Sequence, residues 1–402
     1  MSRQNDTEWR AHKMGLRHTL LREWGHILER PFYLVVMFGV PLFATLFMAT
    51  IFGNGRLENI PIGIVDKDFT ATTRSITRIL EASPTLAIAN RHTSTAEALS
   101  AMRSKEIYAY VIFPPHFESD LLSNRGPTIA YYFHYALMSV GGQVEAALSP
   151  LLTEISIEPV ALTATTLGLS ADTVQTLVAP IVADSMAMFN PTLNYSAYLS
   201  FPLLMVMLQI VVMLTTTYVV GVEIKSGTAV RWLIGADGNI LTAVVGKLIP
   251  YTIAFSAAAI GSVAWLYGGP NGLPHGEGSL WLLTLWSVLL VMSSQALGLF
   301  IFGLFPALGL IISIVSMVGS LGATLCGVTF PLGSLYPAFQ SLASLLPIRH
   351  FTQLSQNILY GNYGVEWVWS SIVAMLAVCA LPLLTLPRLR RAITSRRYEK
   401  IS

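Results

Sequence analysis

Charge is what this chain has least of. Lys, Arg, Asp and Glu make up 11% of its 402 residues, against about 25% in an ordinary soluble domain. From Leu248 to Ile348 the single formal charge is Glu277. A soluble surface needs charge, whereas a lipid-facing helix avoids it, because each charge at the bilayer centre costs roughly 2.5–3.5 kcal/mol. The lack of charge therefore excludes a soluble globular protein and predicts a polytopic membrane protein.

Other absences remove whole classes of chemistry. The only cysteines are Cys326 and Cys379, both in apolar stretches, so no disulfide framework, Cys–His metal site or thiol catalyst is available. His92, His116 and His134 are too scattered for a metal site, and no nucleophile–base set stands out. A membrane enzyme acting on lipid would need clustered His, Asp or Glu at the membrane face, and these are missing. No P-loop exists: Gly246-Lys247 lacks the earlier glycine and the following Ser or Thr, and Gly227-Thr228 lacks the lysine. No chain of Asp, Glu or His runs through the apolar stretches, which argues against transport driven by protons or sodium. The net charge of +2 follows from loop placement and gives no reason to expect nucleic-acid binding. No internal repeat is evident.

What is present is apolar length. A membrane-crossing helix needs roughly 20 apolar residues. Six stretches qualify, at about Phe32–Phe52, Ala197–Val222, Ile240–Tyr267, Leu280–Leu304, Pro306–Phe330 and Trp367–Leu386. Gly303 and Phe305-Pro306 suit a tight turn between the fourth and fifth. Arg3, Arg10, Lys13, Arg17, Arg22 and Arg30 precede the first stretch, and Arg388, Arg390, Arg391, Arg396, Arg397 and Lys400 follow the last. Lys225 and Arg231 lie between the second and third, on the same side as the termini, while the short loop 268–279 has no Lys or Arg. By the positive-inside rule both termini are expected to be cytoplasmic. The first stretch lies behind a long basic segment and reads as a signal anchor, not a cleaved signal peptide.

The predicted organisation is a cytoplasmic segment (1–30), a first span (31–53), an extracytoplasmic α/β domain (54–196), five further spans (197–387) and a basic cytoplasmic tail (388–402). In the first segment, Leu16, Leu20, Leu21, Trp24, Ile27 and Leu28 recur at helical spacing, with Arg17, Arg22 and Glu23 elsewhere on the wheel. That pattern predicts a helix lying in the membrane interface or packed on another subunit. The insert holds eight of the 24 basic and 13 of the 22 acidic residues. Ile60–Val65, Tyr108–Phe113 and Thr128–His134 read as strands. Helical patterns fall at Thr70–Glu81, Thr95–Ser104 and Gly142–Ile157, with a more helical second half over about Gln143–Ser185. Asp66 and Asp68 around Lys67 read as a turn. Lys247 reads as a snorkelling side chain near the cytoplasmic interface.

Several motifs stand in order. Phe189-Asn190-Pro191 precedes the second span, which runs through Phe201-Pro202 to Gln209 and exits into Glu223-Ile224-Lys225-Ser226-Gly227-Thr228. After the fifth span come Thr329-Phe330-Pro331, Tyr336-Pro337 and Leu346-Pro347. This ordered set resembles the type-2 ABC exporter permeases (ABC-2 type), specifically those with a large extracytoplasmic domain between the first two spans. The resemblance covers essentially the whole chain.

It implies a permease with six transmembrane helices and no ATPase site of its own, exporting a hydrophobic or amphipathic substrate such as a drug-like molecule or a lipid. No cofactor is implied in this chain; ATP and Mg would be bound by a separate cytoplasmic ABC ATPase. A second permease subunit, identical or paralogous, is implied as well, and the insert suits a periplasmic adaptor protein. The implied location is the inner membrane.

The coupling helix, 223–237, would seat in the ATPase through Glu223, Lys225, Gly227, Thr228, Arg231 and Trp232, with Leu233 adding apolar contact. Gly227 would make the turn and Thr228 would cap the new helix. Lys225 and Val230 stand where the family commonly has acidic residues. A re-entrant hairpin over 331–363, bent at Pro331, Pro337 and Pro347, would cap the exit, with Arg349 and His350 near headgroups. Gln209, Thr216 and Gln295 are candidates for the translocation path, and helix-to-helix hydrogen bonding is the other reading of such residues, as of Thr215, Thr217, Ser293 and Ser294. A non-transporting membrane scaffold that binds a partner through the insert is the alternative function.

Overall fold

The computed structural model describes residues 15–51, 57–123, 127–134, 140–152, 195–268, 272–273, 275, 278–361 and 365–395. The Phe189-Asn190-Pro191 motif, Glu277, most of the predicted helical region 143–185 and the last three basic residues of the tail lie outside these. The chain divides into two compact units, 1–53 with 196–402, and 54–195.

The first unit is a polytopic helical bundle. Six helices are long and apolar enough to cross a membrane: Pro31–Ile51, Tyr198–Lys225, Ile240–Tyr267, Leu280–Leu304, Leu308–Leu325 and Trp369–Ser395. Only helices satisfy their own backbone in lipid, so uninterrupted apolar sequence of this length has one stable form. The first span relaxes into a π-turn at Val35–Gly39, just before Pro41 removes an amide donor. It exposes Phe32, Phe38, Phe43 and Phe47, as a lipid-facing helix should.

The second and fourth spans are the most enclosed of the six, and Phe201, Met205, Val212 and Met213 of the second are fully buried. Neighbours reach the second span where side chains are small. A Cβ on Gly298 of the fourth span would lie 3.0 Å from the Met213 carbonyl oxygen, and one on Gly319 of the fifth span 2.9 Å from Ile210. The fifth helix ends at Leu325, short of the predicted Phe330. After it, a 3₁₀ turn at Leu332–Ser334 leads to two short helices, Pro337–Ser344 and Pro347–Gln356. The last helix runs through Arg388, Arg390 and Arg391 to Ser395, so the basic tail starts as a continuation of the span.

The N-terminal helix Leu16–Glu29 forms in the expected place, with most of its apolar face outward. Thr19, Glu23 and Ile27 are buried, whereas Leu21 and Leu28 are 63% and 67% exposed. The polar stripe faces the bundle and the leucines face outward, because the bundle offers charged partners to Glu23.

The second unit is a small α/β domain. Its sheet has the order β2-β1-β3-β4, with β1 (Ile60–Asp66) parallel to both β2 (Leu86–His92) and β3 (Ala109–Phe113), and β4 (Ala130–Phe133) antiparallel to β3. Helices cover both faces. Ile76 and Leu80 of the helix Ala71–Glu81, with Val144 and Leu148 of a helix at 140–152, pack on Ile62, Ile64 and Val111. Ala98 and Ala101 of the helix Thr95–Arg103 pack on Val65 and Tyr110. The edge strand β2 is absent from the sequence expectation because Asn90 and Arg91 break its apolar pattern. Asp66 builds the turn after β1, accepting from the amides of Asp68 and Phe69 at 3.0 Å each and from the Thr73 hydroxyl at 2.8 Å.

Candidate functional site: a buried ion-pair cluster at the root of the 223–237 segment

Four charged side chains meet inside the bundle. Arg22 and Glu23 come from the N-terminal helix, Glu223 from the last turn of the second span, and Lys247 from the third span. Lys247 Nζ donates to Glu23 Oε2 at 2.6 Å and to Glu223 Oε1 at 3.0 Å. Arg22 Nη2 donates to both Glu223 oxygens, at 2.8 and 3.0 Å. The Tyr251 hydroxyl donates to Glu23 Oε1 at 2.8 Å, and the Thr228 hydroxyl donates to Glu223 Oε2. Lys247 also lies 5.7 Å from the centre of the Trp232 ring.

Glu23, Glu223 and Lys247 are each no more than 5% exposed. Charges so buried persist only when paired and hydrogen-bonded, since desolvating each costs several kcal/mol. Here two cations balance two carboxylates, and each carboxylate accepts from two or more donors.

The helices must approach closely for these contacts to form. A Cβ on Gly246 would fall 2.0 Å from Thr19 Oγ1, so only glycine lets the N-terminal helix cross the third span here. The Gly15 amide completes the junction by donating to the Gly235 carbonyl at 3.0 Å.

The segment between the second and third spans hangs from this cluster. Gly227, at φ 70°, breaks the helix after Lys225. A seven-residue helix, Ala229–Gly235, follows. Asp237 and Gly238, both left-handed, then turn the chain, and Asn239 Oδ1 caps the third span by accepting from the Leu241 and Thr242 amides at 2.9 and 3.4 Å. Thr228 does not cap the short helix, because its hydroxyl turns back to Glu223. Trp232 and Leu233 also depart from expectation: both are buried, and Trp232 Nε1 donates to the Ala243 carbonyl at 3.2 Å. Glu223 is likewise saturated inside the cluster and presents nothing outward. The exposed side chains of the segment are those of Lys225, Ser226, Arg231, Ile234 and Asp237.

A family model described as an ABC-2 family transporter protein matches residues 31–386. The chain belongs to the ABC-2 transporter family. No curated protein matches it. As a member of that family with six apolar helices, it is a multi-pass membrane protein.

Elsewhere in this ABC-2 protein, Pro331 opens the 3₁₀ turn, and Pro337 and Pro347 occupy the first turns of the two short helices. The missing amide is harmless at those positions. Pro331 and Pro337 are exposed and Pro347 is buried. Gln209 ties this region to the second span, its Oε1 accepting from the Ile348 amide at 2.9 Å. His350 bridges the Ser344 carbonyl at 2.9 Å and the Ser371 hydroxyl at 3.2 Å; with both nitrogens engaged within the protein, it holds helices together. Gln295 Oε1 accepts from the Thr252 hydroxyl at 2.7 Å, joining the fourth span to the third.

Gln209, Thr216 and Gln295 are all buried within this one chain, and no hydrogen bond among the described residues joins them. Gln209 Nε2, Gln295 Nε2 and the Thr216 hydroxyl have no partner among the described residues. Among the described residues, no group of three His, Cys, Asp or Glu is placed to hold a metal.

The sequence reading missed the cluster. Its members stand at positions 22, 23, 223 and 247, and Lys247 was expected to snorkel to water. The available signal was the combination of one lysine inside an apolar span with one acid at the end of another.

Proposed function

We propose that this chain is the membrane-spanning permease subunit of an ATP-driven exporter in the inner membrane. It belongs, on this reading, to the subgroup whose large insert is extracytoplasmic, and both termini are cytoplasmic. A separate cytoplasmic ABC ATPase binds ATP and Mg, docks on the 223–237 segment, and drives outward movement of a hydrophobic or amphipathic substrate.

The observation that carries this reading is the construction of that segment. It is short, it joins two spans, and its base is locked to a third helix by a balanced ion cluster. A push on its free face would move the N-terminal helix and the second and third spans together, which is what rigid-body coupling requires. The free face carries Lys225, Arg231 and Ile234, and these residues supply the ATPase contact. Glu223, Gly227, Thr228 and Trp232 hold the segment in place.

A second permease subunit, a copy or a paralogue, completes the path. The fifth span supports this: Gly309, Ser313, Ser320 and Thr324 lie on its exposed face. Small and hydroxylated residues gain little from lipid and pack well against another helix or a polar path. The hairpin over 331–363 sits at the exit, and the insert is free to receive a periplasmic adaptor.

Tagged protein extracted from its own membranes tests the reading. An ABC ATPase is expected to co-purify, and proteoliposomes of the pair should hydrolyse ATP faster than the ATPase alone. Recovery of the permease with no ATPase, or hydrolysis indifferent to it, would contradict the proposal.

A further inference from the structure

The other cations packed into the bundle, Arg22 and Lys247, are both held by carboxylates. Arg349 is not. It is the only Lys or Arg between positions 248 and 387, and it sits in the first turn of the helix Pro347–Gln356. Its Nε is enclosed and without a hydrogen-bond partner among the described residues. No described carboxylate lies within ion-pair distance of it.

The surroundings are built yet supply no anion. The guanidinium lies against Gly327, where a Cβ would be 3.7 Å from Arg349 Cδ, Nε and Cζ. Gly327 has φ 87° and forms the turn after the fifth span. The Cys326 thiol donates to the Ala323 carbonyl at 3.2 Å, and His350 is committed to Ser344 and Ser371. The Ser371 hydroxyl in turn donates to Gln353 Oε1 at 3.0 Å. The hairpin that carries Arg349 has an apolar exterior, with Phe330, Tyr336, Phe339 and Leu345 each at least half exposed.

An arginine stays charged at any physiological pH, and its planar fork matches phosphate and carboxylate oxygens. A half-buried guanidinium with no partner among the described residues, on a hairpin with exposed aromatic and aliphatic side chains, is complementary to an acidic head carrying an apolar tail.

We propose that Arg349 is the anion-recognising residue of this permease, receiving the phosphate or carboxylate head of an amphiphilic cargo at the hairpin. This rests on the exporter reading for the word cargo, while the binding site stands on its own geometry.

The test is binding to the purified full-length chain in a neutral maltoside, read by tryptophan fluorescence and melting temperature. The probes are dodecyl phosphate, dodecanol and inorganic phosphate. Dodecyl phosphate should bind the native chain and bind Arg349→Gln about ten-fold more weakly, with Arg349→Lys between them because it keeps the charge and loses the fork. Should Arg349→Gln fail to fold, the lysine variant alone still has to show weakened binding. Dodecanol should not distinguish the variants.

Equal binding of dodecyl phosphate by native and variant chains would overturn the site. Inorganic phosphate binding as tightly as dodecyl phosphate would overturn the amphiphile in favour of a soluble anion. In proteoliposomes with the ATPase, dodecyl phosphate should change the hydrolysis rate of the native chain and not that of Arg349→Gln. Arg349-dependent binding without that response would mark a resident lipid and overturn the cargo role. Should no ATPase be recovered at all, the binding arm still decides the site while the exporter reading fails separately.

Discussion

Lys247 Nζ lies 2.6 Å from Glu23 Oε2, joining two residues 224 positions apart in the chain. Each is almost completely buried, and each is shared with a third group, Glu223 for the lysine and Tyr251 for the glutamate. One contact thus fastens the N-terminal helix to the third span, beside the segment assigned to the ATPase.

Removing the cation should be costly. Lys247→Met leaves Glu23 and Glu223 buried with only Arg22 to offset them, and breaking a buried pair this way costs about 3–5 kcal/mol. Thermal unfolding in detergent should show a large fall in melting temperature. Adding Glu23→Gln to Lys247→Met restores charge balance with Arg22 and Glu223 and should recover part of the loss. A double variant no more stable than the single would count against the pair as a unit.

Gly246 makes the same junction sterically. Gly246→Ala places a methyl 2.0 Å from Thr19 Oγ1, an overpacking expected to cost about 1–3 kcal/mol. Because it moves the helix and leaves every charge in place, a cysteine pair across Leu16–Glu29 and the third span should crosslink less in the variant. Unchanged crosslinking and stability would refute the close crossing.

Trp232 is a packing residue by its position. Trp232→Ala should lower stability by about 3–5 kcal/mol, as for other large aromatic side chains removed from a core. A variant as stable as the native chain would show that the ring does not pack inward.

In the inserted domain, Glu97 accepts from the Thr93 amide and hydroxyl, both at 2.9 Å, while Ser94 Oγ accepts from the Glu97 amide at 3.2 Å. This is a variant of the capping box for the helix Thr95–Arg103, with the glutamate reaching the residue before the N-cap Ser94. The Thr93 amide, then its hydroxyl, then His92 hold the Glu97 carboxyl below its ordinary value. A depressed carboxyl stabilises above its unfolded pKa, and that contribution is lost as pH falls through the folded one. Amide exchange of this helix, corrected for intrinsic rate, should rise on acidification to about pH 3 in the native chain. Glu97→Gln should already show the rise at neutral pH; identical profiles would remove Glu97 from the cap.

The six spans were legible because the bilayer leaves apolar length little freedom, and all six helices arise close to the predicted stretches. Their polar junctions were not. Nothing local marks Glu23 as facing a buried partner: its neighbours Leu20, Leu21 and Trp24 make the apolar face of an interfacial helix, whose other face ordinarily meets water. Only the tertiary arrangement of Lys247 and Glu223 gives the polar face its partners. Trp232 illustrates the same gap. An aromatic residue in a short polar segment suits a partner surface and an internal core equally well, and Ala243 and Lys247, on the following span, decided it. In the insert, β2 was hidden because an edge strand with Asn90 and Arg91 lacks the near-continuous apolar run that marked β1 and β3.

The most direct test of the coupling account is ATPase retention by the double variant Arg231→Glu, Ile234→Asp, which alters only side chains on the free face of the segment. The native chain should retain an ABC ATPase through purification. The double variant should lose it while keeping the native melting temperature, since neither side chain is buried. Full ATPase retention by a stable double variant would contradict the assignment of this face as the contact.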